Sequence, residues 1–189
     1  MRSSALVVLA ALSLVACTPK EDKSAPQPAA SVSATLTNTP AAAKTLDVGD
    51  PAPDVDMPLQ DGRHLKLSSL KGKMTVVYFY PKDETPGCTV EAQNFRDKAE
   101  DLKKADITVI GVSAQDAASH KAFIEKEKLP FDLAIDADQS IAKAFGVPMR
   151  GSMHSRWTFL IGKDGKVKKV WREVTPKDHA SEVLLAATT

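Results

Sequence analysis

Residues 74–88 read MTVVYFYPKDETPGC, and the order of residue types in this stretch decides the fold. Met74 to Tyr80 form a continuous apolar, β-branched and aromatic run, which is typical of a central strand covered on both faces. Pro81 ends the run. After Cys88, apolar residues recur at helical spacing and predict a helix over about 89–104. The stretch therefore predicts a buried strand that leads directly into a helix, with a cysteine at the junction.

The segments on either side continue an alternation of strands and helices. Asp-Gly dipeptides at 61–62 and 164–165 suit the positive φ angles of tight hairpins. The other predicted strands lie over 55–59, 64–67, 107–112, 131–135, 157–161 and 166–171. The other predicted helices lie over 116–128, around Ile141 and Phe145, and near 180–187, the last with Thr175 as its N-cap. This order predicts an α/β fold, a three-layer sandwich.

Cys88 lies at the N-terminus of the predicted helix, where unpaired backbone N–H groups and the helix dipole favour an anion. Helix N-termini and basic neighbours favour the thiolate, which is the nucleophilic form of cysteine. The sequence therefore predicts a reactive sulfur at this position. A lone cysteine is also often a small buried hydrophobe, and the residues alone leave that alternative open.

Composition excludes several classes of protein. The chain is 43% hydrophobic and 26% charged, as soluble globular proteins are. Its net charge of +1 provides no cationic field for nucleic acid, so we expect no such partner. The two cysteines, Cys17 and Cys88, are too few for a disulfide framework or a cysteine-rich zinc site. The four histidines share no metal-ligand spacing, and we expect neither a metal nor a cofactor.

The first sixteen residues have the pattern of an export signal. Met1-Arg2 is a basic start, and Ala5 to Ala16 is an apolar run too short to span a bilayer. The run ends in LVAC at 14–17, which resembles the lipobox of bacterial lipoproteins. This resemblance implies a signal peptide over 1–16, a lipid on Cys17 and an exported protein on the extracytoplasmic, periplasmic side of a membrane. An ordinary cleavage site with a chance cysteine is the alternative.

Residues 17–45 differ in composition from the rest of the chain. After Cys17 they are mostly Ala, Ser, Thr and Pro, without an aromatic residue. Such a segment cannot bury enough apolar surface to offset the entropy of ordering it. We predict a disordered tether here and a single globular domain over 46–189.

The strand–helix junction resembles the active-site motif of the peroxiredoxins, P-x-x-x-T-x-x-C, which Pro81, Thr85 and Cys88 match. The residues beside the motif, and GDPAPD at 49–54, are similar to the bacterioferritin comigratory protein, or Q-type, branch. The resemblance runs from about residue 47 to the C-terminus. It implies a thioredoxin-like fold with a central mixed sheet and an N-terminal β-hairpin. It also implies a thiol-dependent peroxidase acting on hydrogen peroxide or organic hydroperoxides.

The resemblance implies a role for each residue of the motif. Cys88 attacks a peroxide oxygen and becomes a sulfenic acid. Thr85 hydrogen-bonds the substrate, and Pro81 shields the site from water. The N–H groups of Gly87 and Cys88 stabilise charge on the departing oxygen. Capping of the helix is the alternative role for Thr85.

Two further residues complete the implied site. Arg156, in RWTFLI at 156–161, matches the arginine that the family carries on a second strand. Its guanidinium can hold the thiolate and also donate to peroxide oxygens. Glu91 braces this arginine. The alternative for Arg156 is an exposed strand residue, which is the commoner position for arginine.

The chain departs from the family at one position. Many Q-type members carry a second cysteine five residues after the first, and Gln93 stands there. With Cys17 acylated, no intramolecular disulfide can form. We therefore predict a one-cysteine mechanism, in which an external thiol or a thioredoxin-like protein reduces the sulfenic acid. The expected state is a monomer or a weak dimer.

Two other uses of a thioredoxin-like scaffold remain as alternatives. A thiol-exchange module requires C-x-x-C, and Glu91 occupies the second cysteine position. A copper-binding module requires C-x-x-x-C, and Ala92 occupies that position. The soft ligands left for copper besides Cys88 are His154, Met149 and Met153. Rapid reaction with peroxide favours the peroxidase, whereas uptake of Cu(I) by an unreactive thiol favours copper binding.

Overall fold

A computed structural model describes residues 44–189. The strands are β1 (Asp56–Pro58), β2 (His64–Lys66), β3 (Met74–Phe79), β4 (Ile107–Ser113), β5 (Asp132–Ile135), β6 (Met149–Arg150), β7 (Met153–His154), β8 (Trp157–Ile161) and β9 (Val167–Trp171). The helices are α1 (Pro86–Asp97), α2 (Ala99–Lys104), α3 (Ala117–Glu127), α4 (Ser140–Phe145) and α5 (His179–Thr188). The predicted signal peptide, the lipidated Cys17 and nearly all of the tether lie outside the described residues.

A five-stranded sheet with the order β5-β4-β3-β8-β9 forms the centre of the domain. β3 pairs in parallel with β4 and antiparallel with β8, so the sheet is mixed, as predicted. All six residues of β3 are buried, because the strand occupies the middle of the sheet. β1 and β2 form the predicted N-terminal hairpin.

The side chains of β3 alternate between two cores, one on each face of the sheet. Val76 and Tyr78 belong to the core that α1, α2, α3 and α5 cover. Val77 and Phe79 belong to the other core, which includes residues of α4 and the N-terminal segment. A continuous apolar strand is needed where both faces are covered. This arrangement confirms the predicted three-layer fold.

The long helix predicted over 89–104 is wrong in its start and in its continuity. α1 begins at Pro86, because Thr85 is the extended N-cap residue (φ −77°, ψ 148°) and proline suits the first turn. Lys98 leaves helical geometry (φ −98°, ψ 4°), and α2 restarts at Ala99. The break places Leu102 in the core with residues of β4. Cys88 therefore lies inside the first turn of α1 rather than before the helix.

The predicted start of the last helix is also wrong. The residues from Thr175 to Asp178 form a turn, closed by a hydrogen bond from Asp178 N to Thr175 O (3.2 Å), and α5 begins only at His179. The first turn of α5 is capped from another helix, since Asn94 Oδ1 accepts a hydrogen bond from Ala180 N (2.7 Å). A cap supplied by α1 leaves no trace in the local sequence.

A small antiparallel pair, β6–β7, was not predicted. Within residues 44–189, no helix combines the length and the apolar character needed to cross a membrane.

Candidate active site

The first turn of α1 holds Cys88 at a helix N-terminus below the surface. Cys88 is the third residue of α1 and is only 1% exposed. The first α-helical hydrogen bond runs from Thr89 N to Thr85 O (2.8 Å). The N–H groups of Gly87 and Cys88 precede that bond, in the part of a helix where amide donors have no partner in the helix itself. They are available to an anion beside the sulfur.

Arg156 reaches the sulfur from the neighbouring strand. It directly precedes β8, whose first residue, Trp157, pairs with Phe79 at the carboxyl end of β3. This register brings Arg156 to the edge of the sheet where α1 begins. Its Nη2 lies 3.2 Å from Cys88 Sγ and donates to it. A guanidinium at this distance stabilises a thiolate relative to a thiol.

Glu91 holds the other side of the same guanidinium. Arg156 Nη1 donates to Glu91 Oε2, while Glu91 Oε1 has no hydrogen-bond partner. Glu91 is fully buried, and burial raises its pKa to about 7, although the charge and the hydrogen bond of Arg156 oppose the rise. For Arg156, burial disfavours the charge, but Glu91 and Cys88 outweigh it and raise the pKa of the guanidinium. The three groups therefore form one coupled charge system.

Gly87 lies against this system. A Cβ placed on Gly87 would be 3.2 Å from Arg156 Nη2, tighter than most contacts of real side chains, and 4.0 Å from Pro176 Cγ. A residue without a side chain lets the guanidinium pass over the first turn of α1. Pro176, in the turn before α5, is thus a neighbour of the site that sequence reasoning did not identify.

Thr85 and Pro81 lie in the loop between β3 and α1. The Thr85 hydroxyl donates to Lys82 O (3.0 Å) and makes no side-chain cap on α1, so capping by the side chain, the alternative from the sequence, is not observed. Pro81 is partly buried at the start of the loop. The structure therefore gathers Arg156, Glu91 and Gly87 around Cys88 and places Thr85 and Pro81 in the adjoining loop.

Asp83 is a second buried carboxylate in this loop, and sequence reasoning missed it. It is 4% exposed and accepts hydrogen bonds from Tyr80 Oη (2.7 Å), Ser119 Oγ (2.6 Å) and His120 Nδ1 (2.8 Å). Burial works against its charge, but the hydrogen bond and the charge of His120 hold the pKa of Asp83 below its usual value. Two of the three donors are 36 and 37 residues away, so no local pattern indicates the cluster.

His154, the one histidine among the possible copper ligands, packs on the other face of the sheet from Cys88. It is buried against Phe79, and its Nε2 lies 2.9 Å from Asp136 Oδ2, whereas the polar partner of Cys88 is Arg156. Within residues 44–189, no group of three or more His, Cys, Asp or Glu side chains is placed to hold a metal ion.

Known proteins match both the sequence and the fold. Residues 48–170 match the family model described as the AhpC/TSA family. "Peroxiredoxin Bcp" of Bacillus subtilis (strain 168) is 43% identical over 147 residues, which cover 74% of this chain and 94% of that protein. The chain belongs to the AhpC/TSA family, in the peroxiredoxin Q/Bcp branch. Membership confirms the predicted class of enzyme, a thiol-dependent peroxidase.

Solved structures of this peroxiredoxin branch confirm the fold. Peroxidoxin BcpB from Mycobacterium tuberculosis superimposes with a TM-score of 0.71 at 32% identity, covering 76% of this chain and 97% of that chain. The Xanthomonas campestris bacterioferritin comigratory protein, whose structures were determined to explain its alkyl peroxide reduction activity, gives a TM-score of 0.69 at 32% identity over 76% and 96% of the two chains.

Proposed function

We propose that this peroxiredoxin reduces hydrogen peroxide and alkyl hydroperoxides at Cys88. The thiolate attacks one peroxide oxygen, the S–O bond forms as the O–O bond breaks, and the departing hydroxide or alkoxide takes up a proton. The products are a sulfenic acid on Cys88 and water or an alcohol. The observation that carries the proposal is the hydrogen bond from Arg156 Nη2 to Cys88 Sγ (3.2 Å) in the first turn of a helix.

The neighbouring groups divide the work of binding and charge stabilisation. Arg156 favours the thiolate and donates to the peroxide as negative charge moves from sulfur to oxygen. The free N–H groups of Gly87 and Cys88 serve the same oxygen. Thr85 binds the peroxide after its hydroxyl turns from Lys82 O, and Pro81 keeps water from the sulfur. Glu91 fixes the plane of the guanidinium.

Alkyl hydroperoxides are included for two reasons. The structures of the Xanthomonas campestris relative address its alkyl peroxide reduction activity. In this chain, Cys88 belongs to a core cluster with Ala92 and Phe95, so apolar side chains line one side of the sulfur. An alkyl group is compatible with such a wall, because transfer of apolar surface from water is favourable.

Reduction of the sulfenic acid requires a thiol from outside the chain. Gln93, at the position of the second cysteine of many relatives, donates to Glu127 Oε2 (2.7 Å) and links α1 to α3. An external thiolate attacks the sulfenic sulfur and releases water, and a second thiol then frees Cys88 from the mixed disulfide. A thioredoxin-like protein or a small thiol supplies both sulfurs.

A rapid-mixing experiment on the purified protein tests this function. Wild type, treated with one equivalent of peroxide and then with dimedone, should carry one sulfenic acid adduct on Cys88 by mass spectrometry. Cys88→Ser should neither react nor turn over peroxide with a thiol reductant. If wild type leaves peroxide unchanged, or if Cys88→Ser retains the activity, the proposal is wrong. Uptake of Cu(I) by a thiol that ignores peroxide would instead select the copper-binding alternative.

We also propose that the protein is exported and lipid-anchored through Cys17, with its domain on the extracytoplasmic side of a bacterial membrane. The support is the apolar run that ends in LVAC at 14–17. Expression in a bacterium, followed by detergent partitioning and mass spectrometry of the N-terminus, tests it. A diacylglyceryl-Cys17 that is lost in Cys17→Ala supports the anchor, whereas an intact residue 1 or an unmodified Cys17 contradicts it.

Light scattering on the domain over 46–189 tests the expected monomer or weak dimer.

A further inference from the structure

The loop from Pro81 to Thr85 is tied to the body of the domain through a buried residue, Asp83. Its carboxylate accepts from Tyr80 at the end of β3 (2.7 Å) and from two residues of α3, Ser119 (2.6 Å) and His120 (2.8 Å). Its backbone N–H also donates to Gln115 Oε1 (3.3 Å). Buried charge-assisted hydrogen bonds are stronger than neutral ones, and an unpaired member is unfavourable.

His120 extends the connection to the edge strand of the sheet. Its Nδ1 lies 2.8 Å from Asp83 Oδ2, and its Nε2 lies 3.3 Å from Ala134 O in β5. His120 is itself fully buried, so water does not compete for these contacts. The loop before Cys88 is therefore joined to α3 and, through the His120 ring, to β5.

Contacts that do not involve Asp83 hold the later turns of α1, and two of them reach α3. Gln93 Nε2 donates to Glu127 Oε2 (2.7 Å), and Arg96 Nη1 donates to Glu127 O (2.8 Å). These contacts lie beyond the first turn of α1, so they hold its later turns independently of Asp83. Asp83 is the buried residue that ties the loop before Cys88 to α3.

The two halves of the catalytic cycle make opposite demands on this segment. A peroxide is small and requires the closed arrangement, with the Cys88 sulfur beside Arg156 Nη2 (3.2 Å). A reducing thiol must approach the sulfur in line with the S–O bond, and a side chain that is 1% exposed does not admit a second thiol without movement. The closed loop favours oxidation by peroxide, and an open loop favours reduction.

We propose that Asp83 is a positioning residue that sets this balance: it holds the loop closed for the peroxide step and restrains the thiol step. The inference rests on the peroxidase function proposed above. Asp83 touches neither the sulfur nor Arg156, and its effect is transmitted through the loop.

The test measures the two half-reactions separately in wild type, Asp83→Asn and Asp83→Ala. Second-order rates with peroxide report oxidation, and rates of reduction of the preformed sulfenic acid by dithiothreitol report the thiol step. We expect oxidation to slow about tenfold or more, equivalent to about 1.4 kcal/mol, and reduction to remain equal or become faster. Ser119→Ala, which removes one donor, should shift both rates in the same directions by a smaller factor.

Gln93→Ala is the matched control, since it removes a partly buried hydrogen bond to the same helix, α3, from beyond the first turn of α1. It should leave the ratio of the two rates within about twofold of wild type, less than 0.5 kcal/mol. Circular dichroism gives the folded fraction, and rates are expressed per folded molecule. If Asp83→Ala does not fold, Asp83→Asn and Ser119→Ala decide the question.

The outcomes separate the two proposals. A wild-type protein that does not react with peroxide refutes the peroxidase function itself. If wild type reacts but the Asp83 variants lose both half-reactions in equal proportion, or lose neither, Asp83 has only a structural role and the inference is wrong. A fall in oxidation without a fall in reduction supports it, because loss of stability alone does not move the two rates apart.

Discussion

Two buried carboxylates flank the reactive cysteine, and they differ in charge because they differ in partners. Asp83, in the loop before α1, accepts three side-chain hydrogen bonds, and its pKa lies below its usual value. Glu91, one turn after Cys88, has Arg156 on one oxygen and no partner on the other, and burial raises its pKa to about 7. Both are almost inaccessible to solvent, so burial alone does not decide whether a carboxylate is ionised. The number of hydrogen-bond donors to the carboxylate decides between the two cases here.

The difference assigns the two carboxylates different tasks. Asp83 remains charged and fastens a loop. Glu91 changes its charge near neutral pH, so the guanidinium of Arg156 faces a neutral carboxyl group below that pH and a carboxylate above it. Arg156 is the group that connects Glu91 to the sulfur.

Replacement of Arg156 should have the largest effect, since it removes the group that both Cys88 and Glu91 contact. Arg156→Gln removes the donor to Cys88 Sγ and leaves Glu91 Oε2 without its partner. We expect the rate of oxidation by peroxide to fall on the order of a hundredfold to a thousandfold, the effect typical of losing one preorganised donor to developing charge. Stopped-flow measurement of the second-order rate constant checks this.

Arg172→Gln is the control for Arg156, because Arg172 also packs beside β8, over the ring of Trp157 (5.1 Å), but does not contact the sulfur. It should change the rate by less than about threefold, under 1 kcal/mol. If the rate constant of Arg156→Gln also lay within about threefold of wild type, Arg156 would have no part in the mechanism.

Glu91→Gln should change how stability depends on pH. Because the folded state holds the Glu91 proton more tightly than the unfolded chain, the contribution of Glu91 to stability is complete below about pH 4.5 and is lost as pH rises towards 7. The difference between those two pKa values corresponds to about 3 kcal/mol. Urea denaturation at intervals from pH 4.5 to 8 should show wild type losing stability relative to Glu91→Gln as pH increases.

A constant difference between wild type and Glu91→Gln over that range would show that Glu91 is ionised throughout. The comparison with Asp83 would then fail, because both carboxylates would be charged at neutral pH whatever their number of donors.

The local part of the site could be predicted from sequence, and the long-range part could not. Thr85, Gly87 and Cys88 lie within four consecutive residues, and the apolar run before them predicts the strand–helix junction on which they lie. Arg156 is 68 residues from Cys88, and only the family resemblance indicated it. Asp83 has two of its three side-chain donors on α3, so neither periodicity nor a motif reveals it.

The errors in helix boundaries have the same origin. The apolar spacing continues through Lys98 although the backbone does not, because Leu102 packs onto β4. Thr175 and Pro176 have the composition of a helix start, but the cap comes from Asn94 in α1. Tertiary contacts decided both, and sequence periodicity does not report them.

His179 should give the opposite pH dependence to Glu91. Burial, together with the charge of Arg156, lowers its pKa to about 4, and its Nε2 lies 2.8 Å from Thr158 Oγ1. The contribution of a group with a depressed pKa is complete above its unfolded value of 6.5 and is lost as pH falls towards 4. The difference between the two pKa values corresponds to about 3 kcal/mol. His179→Gln should abolish the loss of stability that wild type shows as pH falls over this range.

His64 is the control for His179. Its side chain is 61% exposed and pairs with Asp56, whose side chain is 49% exposed. Thermal unfolding of His64→Gln should follow wild type from pH 4 to 6.5. Parallel curves for His179→Gln and wild type would contradict a neutral, buried His179. Between pH 4.5 and 6.5 the slopes of Glu91 and His179 oppose each other, so each is measured as the difference between wild type and its own variant.

The smallest effect is expected at Glu84, which stands beside Asp83 in the same loop. Lys126 Nζ lies 3.0 Å from Glu84 Oε1, close to the distances at Asp83, but the two side chains are 60% and 50% exposed. Water and salt screen such a pair, so Glu84→Gln should lower the free energy of unfolding by less than about 1 kcal/mol and leave both half-reactions unchanged. Urea denaturation and the two rate measurements check this. If Glu84→Gln separated oxidation from reduction as strongly as Asp83→Asn, the loop would be held at its surface, and the buried donors around Asp83 would not explain its position.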